Sequence, residues 1–318
     1  MRLQFLVSNQ TNPYLNIAVE NYLVALNTPS TVTMYLWRNR RTVVIGQNQN
    51  PYAECNVEAL EADGGYLMRR RTGGGAVYHD DGNINFSFVA SHDLYDQQRQ
   101  FEVIRRAVAD FGLVAELSGR NDVLVGGRKF SGNAFSRGAH NNLHHGTILI
   151  RGNMDDLQRY LRPKPAKLQK HGVSSVQSRV VNLSELNADI TSENIVPHLR
   201  DAFLSVYDGD VNLTTLDFDA VCREPQVQWL YSDFASPEWK YGRWQTFSAQ
   251  RSAQFEWGGV DISVEVADGR IADILVATDA LDLDAVEKLH DIVVGRPVEE
   301  CPPPTGNTVI DDLLSMIF

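Results

Sequence analysis

Apolar positions along the chain change period several times, and each change marks an element. Leu15, Ala18, Val19, Tyr22, Leu23 and Leu26 fall at helical spacing behind Asn12-Pro13. A capping side chain followed by a residue pre-set for the first helical position predicts a helix start there. Residues 33–37 and 42–45 are strand-like runs, the second closed by Gly46. A strand over 66–70 leads into Gly73-Gly74-Gly75, and another over 76–79 leaves it. In "NINFSFVA" (83–90) Ile84, Phe86 and Phe88 alternate with Asn85 and Ser87, which predicts a half-buried strand. Phe101, Ile104, Val108 and Phe111 mark a second amphipathic helix, stopped by Gly112. "DVLVGGRKFSGNAF" (122–135) reads as a hairpin with 123–125 and 128–135 as arms and Gly126-Gly127 as turn, and "HHGTILI" (144–150) supplies another strand.

Short strands joined by hairpins, with helices at longer intervals, predict a mixed or mainly antiparallel sheet with covering helices: class α+β. After Gly152 the chain turns more helical and polar, and "FEWGGVDISVEVADGRIADILVAT" (255–278) starts a fresh hairpin. Charge sharpens that boundary. Residues 253–318 hold 14 acidic and 3 basic side chains, whereas the remainder holds 26 of each, so the net charge of −11 belongs to the last 66 residues. We therefore expect a larger domain over 1–246 and a small acidic accessory domain over 253–318.

Composition limits the compartment and the partners. No apolar run reaches the roughly 20 residues of a membrane helix, and the N-terminal apolar stretch is too short for a secretion signal. Cys55, Cys222 and Cys301 are odd in number and lack CxxC spacing, which argues against a disulfide framework or zinc site and fits a reducing cytoplasm. The acidic balance argues against nucleic acid as the main partner.

The chemistry concentrates in a few stretches. "RRRTGGGAVYHDDGNINF" (69–86) sets three arginines beside three glycines. Gly73, Gly74 and Gly75 cost folding entropy, and backbone N–H groups brought close can cradle phosphate or carboxylate oxygens. It is not a P-loop, since GxxxxGK[ST] is absent. Alternate strand side chains face opposite ways, so Arg69, Arg70 and Arg71 cannot all enter one site. Lys129 in "GGRKFSGNA" is flanked by small residues on both sides, which suggests crowding by a ligand; a solvated surface lysine is the bland reading. "SGRND" (118–122) offers Asn121 and Asp122 for a nucleotide or magnesium, or merely for a turn. Of His144 and His145, adjacent on a strand, one is expected to line a pocket and the other to be exposed. Cys55 reads as a buried small residue. Arg159, Arg162, Lys164, Lys167 and Lys170 read either as a solvated segment or as a flap that closes over an anionic ligand.

Together these stretches resemble the lipoate–protein ligase A family. "YLWRN" (35–39), "TVVIGQNQNPYAECN" (42–56), "LMRRRTGGGAVYHDDGN", "SGRND", "GRKFSGNA", "HHGTILI" and "GVSSVQSRVVNL" follow the family's order through most of residues 1–185, and the likeness recurs at "EWKYG" and "FEWGGV". The resemblance implies a catalytic domain like those of biotin ligases and class II aminoacyl-tRNA synthetases, with a small C-terminal domain. It implies that lipoate and Mg-ATP give lipoyl-AMP, whose acyl group passes to a lysine of an acceptor. The acceptors implied are lipoyl domains of 2-oxoacid dehydrogenase complexes and the glycine-cleavage H protein. We expect no nucleic-acid or membrane partner, and a monomer.

The same resemblance assigns Lys129 the catalytic role and a share in lipoate binding. It assigns Arg70, Gly73, Gly74, Gly75, Ala76, Val77, Tyr78, Asn121 and Asp122 to ATP and lipoyl-AMP, with Asp122 also the magnesium contact. Trp37, His79, Arg137 and His145 would hold lipoate, and residues 164–180 would close on the adenylate. A lipoyltransferase using preformed lipoyl-AMP stays open beside the ligase. An octanoyltransferase of this fold would acylate a cysteine, and none lies between "GRKFSGNA" and "HHGTILI". A nucleic-acid binder would interleave stacking aromatics with its basic residues.

Overall fold

In the computed structural model, residues 1–119, 121–162, 180–207, 211–242, 249–267, 269–281 and 283–318 are described. Eight strands make the principal sheet: β1 (Arg2–Val7), β2 (Thr31–Trp37), β6 (Asn83–Ser91), β7 (Ala115–Ser118), β8 (Asp122–Val125), β9 (Arg128–Arg137), β10 (Asn141–Leu149) and β11 (Asn212–Thr215). Their order is β11-β1-β2-β6-β10-β9-β8-β7. β1 pairs in parallel with β2 and β11, and the other pairings are antiparallel, so the α+β expectation holds. β3 (Thr42–Ile45), β4 (Tyr66–Arg69) and β5 (Val77–His79) form a separate three-stranded sheet with β3 central, and they carry the glycine loop between β4 and β5.

The principal sheet is covered on both faces. Leu3, Met34, Phe86 and Phe88 pack under the helices Gln97–Ala109 and Ile195–Val206, while Leu6, Tyr35, Trp37 and Val89 pack under Pro13–Leu26 and Pro225–Ala235. The first of these helices begins where the sequence places it, with the Asn12 side chain accepting from the N–H groups of Tyr14 and Leu15. Double coverage changes the reading of residues 83–90. All nine residues of β6 are buried, because its polar face also lies under a helix and meets hydrogen-bond partners there.

The C-terminal residues 249–318 have their own core. β12 (Ala249–Phe255), β13 (Gly258–Ala267) and β14 (Arg270–Thr278) form an antiparallel sheet that packs Val260, Ile262 and Ile274 against Leu289, Leu313 and Leu314 of two C-terminal helices. This unit touches the rest of the chain at the glycine loop. Thr278 donates its N–H to Asn48 O, and Gly74 donates its N–H to Ala280 O, both at 2.9 Å.

Candidate functional site

The site is built on the face of β6 that periodicity assigns to solvent. Asn85 and Ser87 point there, beside Trp37 of β2 and His145 of β10, and the helix Pro13–Leu26 closes over them with a charged residue, Glu20, in its buried stripe. Glu20 is 1% exposed and accepts from Ser87 Oγ at 2.6 Å. Its Oε1 also lies 2.8 Å from His145 Nδ1, and His145 Nε2 lies 2.9 Å from Thr72 Oγ1. Arg70 Nε donates to the same threonine oxygen at 3.0 Å. Every link is satisfied with the His145 proton on Nδ1 and the Thr72 hydroxyl donating to Nε2. A buried chain therefore ties the sheet floor to the glycine loop.

The three arginines divide as the strand period requires. Arg69 turns away from the site and donates to the carbonyls of Gln47, Gln49, Trp239 and Lys240 at 2.7–2.9 Å. Arg71 lies over the rings of Phe234 and Trp239 and within 3.7 Å of Asp233. Arg70 reaches the cavity, yet its Nη2 donates to Gly73 O at 2.7 Å and Gly75 O at 3.0 Å. Burial lowers the Arg70 pKa to about 10, leaving it charged at neutral pH. Its first job is to bend the loop, and the charge it presents to a ligand comes with that bend.

Two of the three glycines have causes unseen in the sequence. A Cβ on Gly73 would stand 2.2 Å from Ala280 O, and Gly74 sits at φ +94°, a conformation that L side chains rarely adopt. Gly75 faces open space. The expected anion cradle is accordingly narrower, since the Gly74 N–H is already given to Ala280.

A cavity of about 370 Å³ collects most of the expected residues. Trp37, Val77, His79 and His145 line it with Ile17, Val44 and Met68; Arg70, Gly74, Gly75 and Ala76 bound the loop side; Asn121, Asp122 and Lys129 bound the far side. Lys129 Nζ lies 2.7 Å from Asp122 Oδ1. The register slips by one residue between Val123 and Leu124, a bulge beside Lys129 of the kind that re-aims side chains near active sites. The small residue at 132 has a local reason: a Cβ there would meet Lys129 Nζ at 2.9 Å. His79 accepts at Nδ1 from Asn39, and burial drives its pKa down to about 3, so it is neutral.

Other expectations fail on geometry. Tyr78 lies between Val77 and His79 on β5, so it points the opposite way and donates to Asp156 at 3.1 Å. Arg137 sits eight residues beyond Lys129 on β9, about 27 Å at the rise of an extended strand. It is exposed and lines a different cleft, beside Tyr95 and Tyr207. Gly73 packs against the C-terminal unit instead of lining the cavity. His144 is not exposed: the second face of the sheet is covered as well, and His144 lies buried between Gln100 Oε1 and Asn133 Oδ1, each 2.9 Å from a ring nitrogen. Lys164, Lys167 and Lys170, with residues 164–179 of the expected loop, lie outside the described residues. Arg159 of the same basic segment pairs with Asp63 at 2.8 Å. Glu20, Thr72, Asn85, Ser87 and Asn133 were not singled out by the sequence. For Glu20 a signal exists, a carboxylate within a stripe of Ile17, Val19 and Leu23.

No cysteine lines this cavity. Cys55 is buried behind β3, and burial pushes its thiol up to about 12. Among the described residues no three His, Cys, Asp or Glu side chains are grouped to hold a metal, and no helix is long and apolar enough to cross a membrane.

Comparison with known proteins places the chain. Residues 12–204 match the family described as lipoyl protein ligase A/B catalytic domain, and residues 245–301 match the bacterial lipoate protein ligase C-terminus. A lipoate-protein ligase A from Psychrobacter cryohalolentis is 40% identical over 92% of this chain and 87% of its own. The structure of P. falciparum LipL1 in complex with lipoate aligns over 99% of both chains with 31% identity and a TM-score of 0.84. A lipoate-protein ligase A bound with ATP aligns over 76% of this chain and 98% of its own, with 25% identity and a TM-score of 0.63.

Proposed function

The chain belongs to the lipoate–protein ligase A family and is a lipoate–protein ligase, and we propose that it joins lipoate to acceptor proteins in two steps, through lipoyl-AMP. One observation carries this reading: a single cavity is lined both by apolar side chains, Trp37, Val44 and Met68, and by two cations, Arg70 and Lys129. An amphipathic acid fits that polarity, tail against the first and carboxylate toward the second. The relatives bound with lipoate and with ATP support the same pairing of substrates.

In the first step a lipoate carboxylate oxygen attacks the α-phosphorus of ATP, and the bond to the pyrophosphate oxygen breaks. Charge grows on the α-phosphate, and Lys129 is the mobile cation positioned to stabilise it, while Arg70 holds the loop that limits where the phosphate can go. Asp122 keeps the ammonium aimed before substrate arrives. Asp122 offers one carboxylate to a magnesium ion, which suits an ion held mostly by phosphate oxygens and water. Such an ion would neutralise phosphate charge. In the second step the acceptor lysine attacks the carbonyl of the mixed anhydride and AMP leaves. Lipoyl domains and the glycine-cleavage H protein are the acceptors we propose. No enzyme nucleophile is needed, in keeping with a cavity lining that holds no cysteine, so the octanoyltransferase reading loses its support.

The test is a purified-protein reaction with lipoate, Mg-ATP and an acceptor lipoyl domain, read by mass spectrometry. Modification of one acceptor lysine, dependent on ATP, is expected. An unmodified acceptor under conditions where a known ligase modifies it counts against the reading.

A further inference from the structure

A second buried chain of polar contacts has no part in the mechanism above, and it ends beside Lys129. On the face of the principal sheet away from Glu20, His144 meets Gln100 Oε1 at Nδ1 and Asn133 Oδ1 at Nε2, each at 2.9 Å. Burial holds the pKa of His144 well below 6.5, so the ring is neutral and has one N–H to give. It cannot donate to two amide oxygens. Asn133 is fixed, because its Nδ2 donates to Asn121 O at 3.0 Å. The Gln100 amide is therefore the one that turns. With its amino group on His144 Nδ1, its oxygen faces Tyr207, whose hydroxyl is within hydrogen-bond reach. Gln100 Nε2 and Tyr207 Oη otherwise stand buried without a partner, so the half-turn satisfies both. Donation then runs one way, from Tyr207 to Gln100, His144, Asn133 and Asn121.

The last link is a clasp. Asn121 O accepts both the backbone N–H of Asn133 at 2.9 Å and its Nδ2, and Asn121 Nδ2 donates back to Asn133 O at 2.9 Å. Gly146 on β10 makes room for this amide, since a Cβ there would stand 2.4 Å from Asn133 Oδ1. The clasp closes near the edge of the sheet. β8 is four residues long, has β7 alone beyond it, and begins at Asp122, the residue after Asn121. Strand ends fray unless they are tied, and Asp122 is the carboxylate 2.7 Å from Lys129 Nζ. Asn133 lines the cavity, yet both polar atoms of its amide are committed to His144 and Asn121.

Resting on the reading above, in which Lys129 stabilises charge on the α-phosphate, we propose that Asn133 is a positioning residue for that lysine. Clasped to Asn121 and held from behind by His144, it fixes Asp122, and through Asp122 the aim of the Lys129 ammonium. It takes no part in the chemistry itself, because its amide has no donor or acceptor left over for a substrate in this arrangement.

The experiment is a double-mutant cycle on the intact 318-residue protein, read by lipoate-dependent exchange of labelled pyrophosphate into ATP. Asn133→Ala should lower kcat roughly tenfold, within the range that an ångström-scale misplacement costs, with the KM for lipoate little changed. In a Lys129→Ala background the same change should cost about twofold or less, because the group being aimed is gone. A thermal melt reports folding, and Asn133→Ser, a smaller disturbance of the interior, carries the same expectation if the alanine protein does not fold. A loss of equal size in both backgrounds overturns the proposal, since general damage to the fold adds to the loss of Lys129. An unchanged kcat in a folded Asn133 variant overturns it too. No exchange in folded wild type overturns the ligase reading itself, a different result from either.

Discussion

Gly74 gives its backbone N–H to the carbonyl of Ala280, 206 positions away in sequence, at 2.9 Å. The residue at the centre of the glycine run is thus the docking point of the small C-terminal unit, and Gly73 beside it makes room for Ala280 and Leu281. Gly73→Val should break this junction, because no side chain fits within 2.2 Å of a carbonyl oxygen. Hydrogen–deuterium exchange at the Gly74 amide checks it. Protection is expected in the wild type and loss of protection in the variant, with the exchange of β6 amides unchanged.

Glu20 connects Ser87 and His145, and through Thr72 it reaches Arg70. Removing the carboxylate strands a buried histidine and a buried hydroxyl. Glu20→Ala should cost roughly 3 kcal/mol of stability, read by urea unfolding. Glu20→Gln keeps an acceptor oxygen in place and should recover part of that loss. Equal stability in all three proteins would mean that the chain of contacts adds nothing.

How much of this was legible in the sequence depended on distance along the chain. The hairpin at Gly126-Gly127 and the start at Asn12-Pro13 were readable, because the residues that dictate them lie within a few positions. Arg69 and Arg71 were not, since both find partners far along the chain, at 233–240. The alternation in "NINFSFVA" correctly marked a strand and mislabelled its polar face. Only a helix from residues 13–26 lying over that face makes Asn85 and Ser87 interior residues. Lys129, Asp122 and Asn121 do share one cavity, as hairpin geometry requires of neighbours across a turn. Arg137 lies eight residues beyond Lys129 on β9, and the rise of the strand carries it into a different cleft.

In the proposed mechanism Lys129 is the cation at the point where charge develops. Lys129→Ala should slow both lipoyl-AMP formation and transfer from supplied lipoyl-AMP by about 10²- to 10³-fold, in a protein whose melting temperature is little changed. Single-turnover assays of each half-reaction separate the two effects. A variant impaired in one half only would restrict the ammonium to that half.

Two buried histidines set the acid response. Burial lowers the His79 pKa to about 3 and holds His144 well below its ordinary value of 6.5. Between those values the unfolded chain binds the protons and the folded one does not, so stability rises with pH and is lost as pH falls below about 6.5. Each histidine contributes a slope of up to ~1.4 kcal/mol per pH unit in that window. Urea unfolding at pH 7 and pH 5, above most carboxylate titration, should show the loss. His144→Gln should flatten the slope, and an unchanged slope would mean that His144 takes up its proton in the fold.

The proposed ligase makes the adenylate as well as consuming it. Lipoate-dependent exchange of labelled pyrophosphate into ATP measures that step alone, with no acceptor present. Exchange is expected to require lipoate and magnesium and to fall in Lys129→Ala. Absence of exchange in wild-type protein that still transfers the acyl group from supplied lipoyl-AMP would contradict it, and would make the enzyme a lipoyltransferase.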